Sequence, residues 1–202
     1  QVNWFVSHYW GHPFMDTVSS IKKHAQKFCE PGKRWEDIAY WVCTFSNNQY
    51  QVAEELGNGA WEKSSFYLSL RAEGCKGTCL ILDEKVSPLF RSWCLFEFLQ
   101  TVKREEGKEN SDHSFEGLYF CTNSGTVNTG NAGVEVALRI GKTMSHLRLE
   151  DARASAASDK QMIDDLVLAD MGSFDAINAK LRSRINNALG ACQEATVREF
   201  QN

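Results

Sequence analysis

Short apolar runs alternate along the chain with stretches whose apolar residues recur at helical spacing, the sequence mark of a βαβ architecture. Trp4-Phe5-Val6-Ser7-His8 predicts a first strand, ended by Tyr9-Trp10-Gly11-His12-Pro13. Pro13 suits an early helix position. Phe14, Val18, Ile21, Ala25 and Phe28 then place a helix over 14–28 with those residues as its apolar stripe. Glu30-Pro31-Gly32-Lys33 stops it, and the nearly unbroken apolar run over 38–45 reads as a second strand buried on both faces. A polar stretch at 46–50, an acidic helical segment and the loop Gly57-Asn58-Gly59 follow, and Ser64-Ser65 offer a cap for a helix through Phe66, Leu70 and Ala72.

The clearest strand is 78–83, followed by a helix from about 89 to 103 and a charged loop over 104–113. A fourth strand covers 118–121, and its Gly-, Asn-, Ser- and Thr-rich exit, 122–133, reads as a loop. Beyond it the pattern predicts a helix over 134–140, a short fifth strand at Leu147-Arg148-Leu149, and helices over 159–169 and 174–189. Met171-Gly172-Ser173 supplies a Gly stop and a Ser cap between the last two. The expected fold class is α/β: a flavodoxin-like parallel sheet with helices on both faces and a C-terminal helical extension. Residues 1–150 form the α/β domain in this reading, and 151–202 the extension packed on it.

Composition narrows the function classes more than the fold. With 202 residues, 43% hydrophobic and 24% charged, the chain suits one large domain that needs no staples. A net charge of −4 argues against a nucleic-acid surface. No run of apolar residues is long enough to span a membrane. The seven cysteines are scattered, several inside apolar runs, and Asn-x-Ser/Thr acceptors are absent. Both features favour a reducing, intracellular compartment: the cytoplasm, or an organelle after removal of a targeting segment, since the chain opens at Gln1. The tightest cysteine pair, Cys75 and Cys79, lacks two further ligands at comparable spacing, so buried thiols are expected and no metal site.

The segment with chemistry in it is Pro88 through Phe98. On a helix, Leu95, Phe98, Leu99 and Val102 form one face, expected to lie on the sheet. Glu97 falls on the other face among Phe90, Trp93, Cys94, Gln100 and Thr101, and it is the only charged residue between Arg91 and Lys103. A lone carboxylate among aromatic rings is desolvated, its pKa rises, and such a group is a functional-site candidate. The competing reading has Glu97 capping a loop amide or pairing with a distant Lys or Arg.

Ser92-Trp93-Cys94-Leu95-Phe96-Glu97-Phe98 resembles the Ser-x-Trp-Cys-Leu-x-Glu-Leu signature of the TIR (Toll/interleukin-1 receptor) αC helix. Trp4-Phe5-Val6-Ser7-His8 is similar to the TIR first strand, and Leu80-Ile81-Leu82 with Ser87 and Arg91 occupies the place of the third strand and its exit. The likeness covers roughly residues 3–125 and is specific at one motif. The blocks around Phe5-Val6-Ser7-His8, Tyr40-Trp41-Val42-Cys43, Asn47-Asn48-Gln49 and Leu82-Asp83 also resemble TIR-like proteins of algae and other unicellular eukaryotes. The resemblance implies NAD+ cleavage with Glu97 as the catalytic residue, NAD+ being the substrate and no separate cofactor being required. Tyr9, Trp10, Gly11, Asn47 and Trp93 are the expected binding residues.

Because TIR folds also serve as protein-interaction modules, the alternative is a non-catalytic module or a structural subunit of a larger assembly, with protein partners or self-association. The chain departs from TIR enzymes at Tyr9-Trp10-Gly11-His12, which carries no acidic residue after the glycine. It departs again at Asn47-Asn48-Gln49-Tyr50, which can either bond a ribose or nicotinamide amide or satisfy a turn. Two other constellations are weaker: Ser7-His8, adjacent in a strand and so facing apart, and the Gly-rich 122–133 loop, which lacks a Walker lysine. Trp10, Trp35 and Trp61 sit near loops and can either anchor a partner or pack inward.

Overall fold

The computed structural model describes residues 2–107 and 114–201. Most of the charged loop expected over 104–113 lies outside them. β1 (Trp4–Ser7) leads into α1 (Phe14–Phe28), and β2 (Tyr40–Val42) into two single-turn helices, α2 (Cys43–Ser46) and α3 (Val52–Glu55), then α4 (Ser65–Leu70). β3 (Gly77–Ile81) is followed by a 3-10 turn over Ser87–Phe90 and by α5 (Ser92–Glu106). After β4 (Gly117–Thr122) and β5 (Gly125–Thr126) come α6 (Val134–Ser145), α7 (Ala157–Met171) and α8 (Phe174–Gln201). The sheet order is β2-β1-β3-β4-β5, parallel throughout except at β4–β5. Each parallel neighbour is reached through helical crossovers, as parallel pairing demands.

Strand alternation sorts the core into two layers. Phe5, Trp41, Leu80 and Phe120 face a large cluster to which α4 through α8 contribute, among them Phe66, Leu95, Ile140, Ile163 and Leu181. Trp4, Val6, Val42, Cys79, Ile81 and Cys121 face a smaller cluster with Ile21 and Phe28, so α1 covers that side. Residues beyond 150 therefore share the main core. Ion pairs add to this attachment, Lys103–Asp170 at 2.8 Å and Arg184–Glu105 at 2.6 Å. Gly77 pairs with Gly117 across β3 and β4 because Trp4 lies on them: a Cβ at Gly77 would sit 2.7 Å from the indole and from the Gly117 carbonyl.

Three expectations need correction. The second strand stops at Val42, because the apolar run continues as the helical turn α2, in which the Asn47 amide bonds the Cys43 carbonyl at 3.1 Å. Apolar continuity does not separate strand from helix. Leu147–Leu149 is no strand: Leu149 begins a 3-10 turn, and its amide donates to Asn178 Oδ1 at 3.0 Å, so no ladder partner is needed. The fifth strand instead lies inside the 122–133 loop, as a two-residue antiparallel return on β4. Finally, of the stripe expected on α1, Ile21, Ala25 and Phe28 pack inward but Phe14 is 60% exposed and Val18 is exposed too, while Thr17, Ser20 and His24 are buried, so its azimuth is turned from the expected one. On the buried side Ser20 Oγ donates to the Asp16 carbonyl (2.7 Å) and His24 Nδ1 meets Tyr40 Oη (2.7 Å).

Candidate functional site

The site is set by how the chain leaves β1, β2 and β3. After β3, Asp83 accepts hydrogen bonds from the Ser87 amide (2.7 Å) and hydroxyl (2.6 Å), holding the turn that starts the crossover. Val86 within it is buried at φ 51°, a left-handed conformation that a β-branched residue adopts only under constraint. The first turn of α5 is then tied to the segment before α7: the Ser92 amide donates to the Arg153 carbonyl (2.9 Å), and the Arg153 amide to the Phe90 carbonyl (2.8 Å).

From Cys94 to Val102, α5 is buried on every side. Leu95, Phe98, Leu99 and Val102 do share the core with Phe5, Leu80 and Phe120 of the strands, but Glu97 does not face away from the sheet as expected. The row Cys94–Glu97–Thr101 meets the strands. Cys94 Sγ approaches the His8 carbonyl at 3.6 Å, while Thr101 Oγ1 bonds Thr78 Oγ1 of β3 (2.7 Å) and donates to the Glu97 carbonyl (2.7 Å). Because α5 is sandwiched between the sheet and α4 and α7, its apolar residues are buried wherever they point. Hydrophobicity therefore could not choose which side faces the strands.

Glu97 is 3% exposed, and its Oε2 has no hydrogen-bond partner among the described residues. Burial pushes its carboxyl up to about 8, against smaller opposing pulls from Ser7 and Cys94. Ser7 Oγ and His8 Nδ1 are likewise buried without partners. Burial, reinforced by His12, draws the His8 imidazole down to about 4, so the ring is neutral at pH 7; its Nε2 meets Thr44 Oγ1 at 3.1 Å. Native proteins leave few buried polar atoms unsatisfied, and several at one sheet end call for a functional explanation.

Glu97 and His8 open on a cleft of about 220 Å³. Tyr9 and Trp10 line it from the exit of β1, Asn47 from the exit of β2, and Trp93 and Glu97 from α5. Gly11 is not in the lining; it lies against the Tyr9 ring, where a Cβ would come within 2.5 Å of Cε1. Trp10, 58% exposed, donates its Nε1 to Cys43 Sγ at 3.1 Å. Trp93 stacks on Phe66 with centroids 5.3 Å apart, and its Nε1 donates to Asp159 Oδ2 at 3.0 Å. In the β2 exit, Asn47 Oδ1 accepts from Ser65 Oγ (2.9 Å), Asn48 bonds Gln51 (2.6 Å), and Gln49 donates to the Cys43 carbonyl (3.1 Å). The side chains of Asn48 and Gln49 are thus spent on the turn itself.

His8, Arg91 and Asp159 also line the cleft, and residue patterning had not assigned them to it. His8 carried a usable signal, since it directly follows a parallel strand and ligands gather beyond the carboxyl ends of such strands. Asp159 carried none: it stands 66 positions from Trp93 and arrives only through the packing of α7.

The weaker constellations do not assemble. Ser7 Oγ has no base bonded to it. The 122–133 loop turns its groups inward, with the Thr122 hydroxyl accepting from the Ser124 and Gly125 amides at 3.2 Å. Trp61 packs on Tyr67 and Phe96, and Trp35 stands under Lys22. No helix among the described residues is long and apolar enough to cross a membrane. Chemically, the cleft can take a planar ring among aromatic side chains, and it places one desolvated carboxyl where it can stabilise positive charge once ionised. Compared with known proteins, the chain matches no family, no curated protein and no solved structure.

Proposed function

We propose that the chain is a TIR-like domain, flavodoxin-like in fold, that hydrolyses the nicotinamide–ribose bond of NAD+ or a related nucleotide. Residues 1–150 would be its body and 151–202 its helical extension. The observation that carries the reading is the Glu97 carboxyl, desolvated at the wall of an aromatic cleft and with its Oε2 unpartnered among the described residues. The strand order β2-β1-β3-β4 is that of a doubly wound sheet, and the cleft lies beyond the strands' carboxyl ends, where such sheets bind ligands.

In the proposed reaction the C1′–N1 bond breaks heterolytically. Its electron pair passes to the pyridinium nitrogen, nicotinamide leaves neutral, and the ribose carries an oxocarbenium-like charge facing the Glu97 carboxylate. Water then adds at C1′ and gives up a proton. A cationic pyridinium beside Glu97 also favours its ionised form. In the free protein that form prevails only above about pH 8. The kcat/KM for nicotinamide release is therefore expected to rise roughly tenfold per pH unit up to about 8 and then level.

Incubating the purified chain with NAD+ and following nicotinamide tests the reading. Release by the wild type, lost in Glu97→Gln with the fold intact, supports it. A wild type without turnover whose Glu97→Gln variant melts lower assigns Glu97 a structural role. A second reading, a non-catalytic interaction module, is favoured by exposed aromatics: Trp10, which lines the cleft, and Phe14, Phe45 and Tyr50.

A further inference from the structure

On the opposite side of the sheet from Glu97, a second group of polar atoms is closed off from solvent. Cys79 of β3 and Cys121 of β4 stand on the same face of neighbouring strands, two register positions apart. His24 of α1 comes down on them, and one ligand atom from each of the three residues lies within 4.8 Å of the other two. His24 is wholly buried. Its Nδ1 is engaged by the Tyr40 hydroxyl at 2.7 Å, and its Nε2 has no partner among the described residues. A buried ring nitrogen left unsatisfied is costly in an apolar layer. It is the form a metal-binding imidazole takes when its other nitrogen is held from behind by a hydrogen-bonding group.

We propose that His24, Cys79 and Cys121 bind a zinc ion between α1 and the sheet. Two sulfurs and an imidazole are soft to borderline donors, which select Zn²⁺ or Cu⁺ over the oxygen-seeking cations. Charge decides between these two: both thiols lose their protons on binding, so a dication leaves a neutral unit, whereas Cu⁺ would leave a net negative charge among Trp4, Phe28 and Tyr119. Three protein ligands leave the fourth position of a tetrahedral Zn²⁺ to one water enclosed with the ion as the chain folds. Zn–S and Zn–N bonds of about 2.3 and 2.0 Å require the three donors to draw in by roughly 1 Å. Side-chain rotation can supply that movement. Since the cluster is sealed within a packed layer, loading is coupled to folding and exchange in the folded chain is slow. The site is independent of Glu97 and of the nucleotide reading.

The test uses the full chain. Elemental analysis after gel filtration in chelator is expected to find about one zinc per molecule. Refolding with Zn²⁺ should give native yield, and refolding with chelator a large loss. Refolding with Co²⁺ should produce a sulfur-to-cobalt charge-transfer band, absent in Cys79→Ser and Cys121→Ser and retained in Cys192→Ser, a buried thiol elsewhere. If the cluster variants do not fold, the wild-type refolding comparison still decides. Metal-free native protein that refolds equally well in chelator overturns the proposal. So does an intact mass two hydrogens lighter with Cys79 and Cys121 joined, which would make the pair a disulfide.

Discussion

The two helices that lie directly on the sheet, α1 and α5, share an unexpected arrangement and put it to different uses. Beside its apolar residues each presents a polar row to the strands: Thr17, Ser20 and His24 from α1; Cys94, Glu97 and Thr101 from α5. Both rows contain a titratable group forced by burial toward its neutral form, with one unpartnered atom. What separates them is position along the strands. Glu97 stands where β1 and β2 end and their exit loops leave a cleft, so a ligand can reach it. His24 stands over the middle of β3 and β4 under Trp4, Phe28 and Tyr119, so only groups already inside can. The same desolvation makes a reactive candidate at the sheet end and a sealed cluster over its middle.

The largest expected effect concerns the cost of charging Glu97. A carboxyl raised to about 8 keeps its proton in the folded chain where the unfolded chain, at about 4.5, has released it. Between those values the native state binds more protons, so stability falls as pH rises across the window, by an amount on the order of 4 kcal/mol. Urea unfolding of wild type and Glu97→Gln at pH 5 and pH 8.5 should show the variant gaining relative stability at the higher pH. An unchanged difference would mean that Glu97 is solvated or paired. Next comes turnover: Glu97→Gln is expected to lower nicotinamide release on the order of 10²- to 10³-fold, as loss of one preorganised stabilising group does.

Two smaller changes separate the rows. Thr101→Val leaves the Thr78 hydroxyl buried without its partner and loosens the helix turn carrying Glu97, costing about 2 kcal/mol. Thermal melting should register the loss, with a reduced rate of nicotinamide release beside it. Tyr40→Phe removes the group held by His24 Nδ1 and should cost about 1 kcal/mol, with nicotinamide release unchanged. If Tyr40→Phe slowed release while Thr101→Val did not, the division of labour between the two helices would be reversed.

Much of this was legible in the residues. The four parallel strands, the long helices and the Gly172–Ser173 break follow from spacing and capping, and Gly172 does take a left-handed φ of 77° with Ser173 Oγ accepting the Ala176 amide. Glu97 stood out because no other charge lies within five residues of it. Tyr9, Trp10, Asn47 and Trp93 line its cleft because strand exits in a parallel sheet converge. Less legible was anything that depends on azimuth or distant approach. Cys75 was the obvious companion of Cys79 along the chain, yet Cys121 and His24 are its neighbours in space.

By itself, then, the sequence determined the order of elements and the candidate carboxylate, because hydrophobic period and local turn chemistry act over a few residues. Which side of α1 and α5 meets the strands was decided only in the tertiary structure. α5, packed on several sides, buries most of its circumference, so hydrophobicity no longer discriminates among its faces. α1 exposes Phe14 and Met15 and buries Thr17, Ser20 and His24, so there too apolar character did not choose the face. Hydrogen bonds made across the layers, Thr101 to Thr78 and His24 to Tyr40, mark the orientation that resulted. Their partners lie 23 and 16 positions apart, beyond the reach of any local pattern.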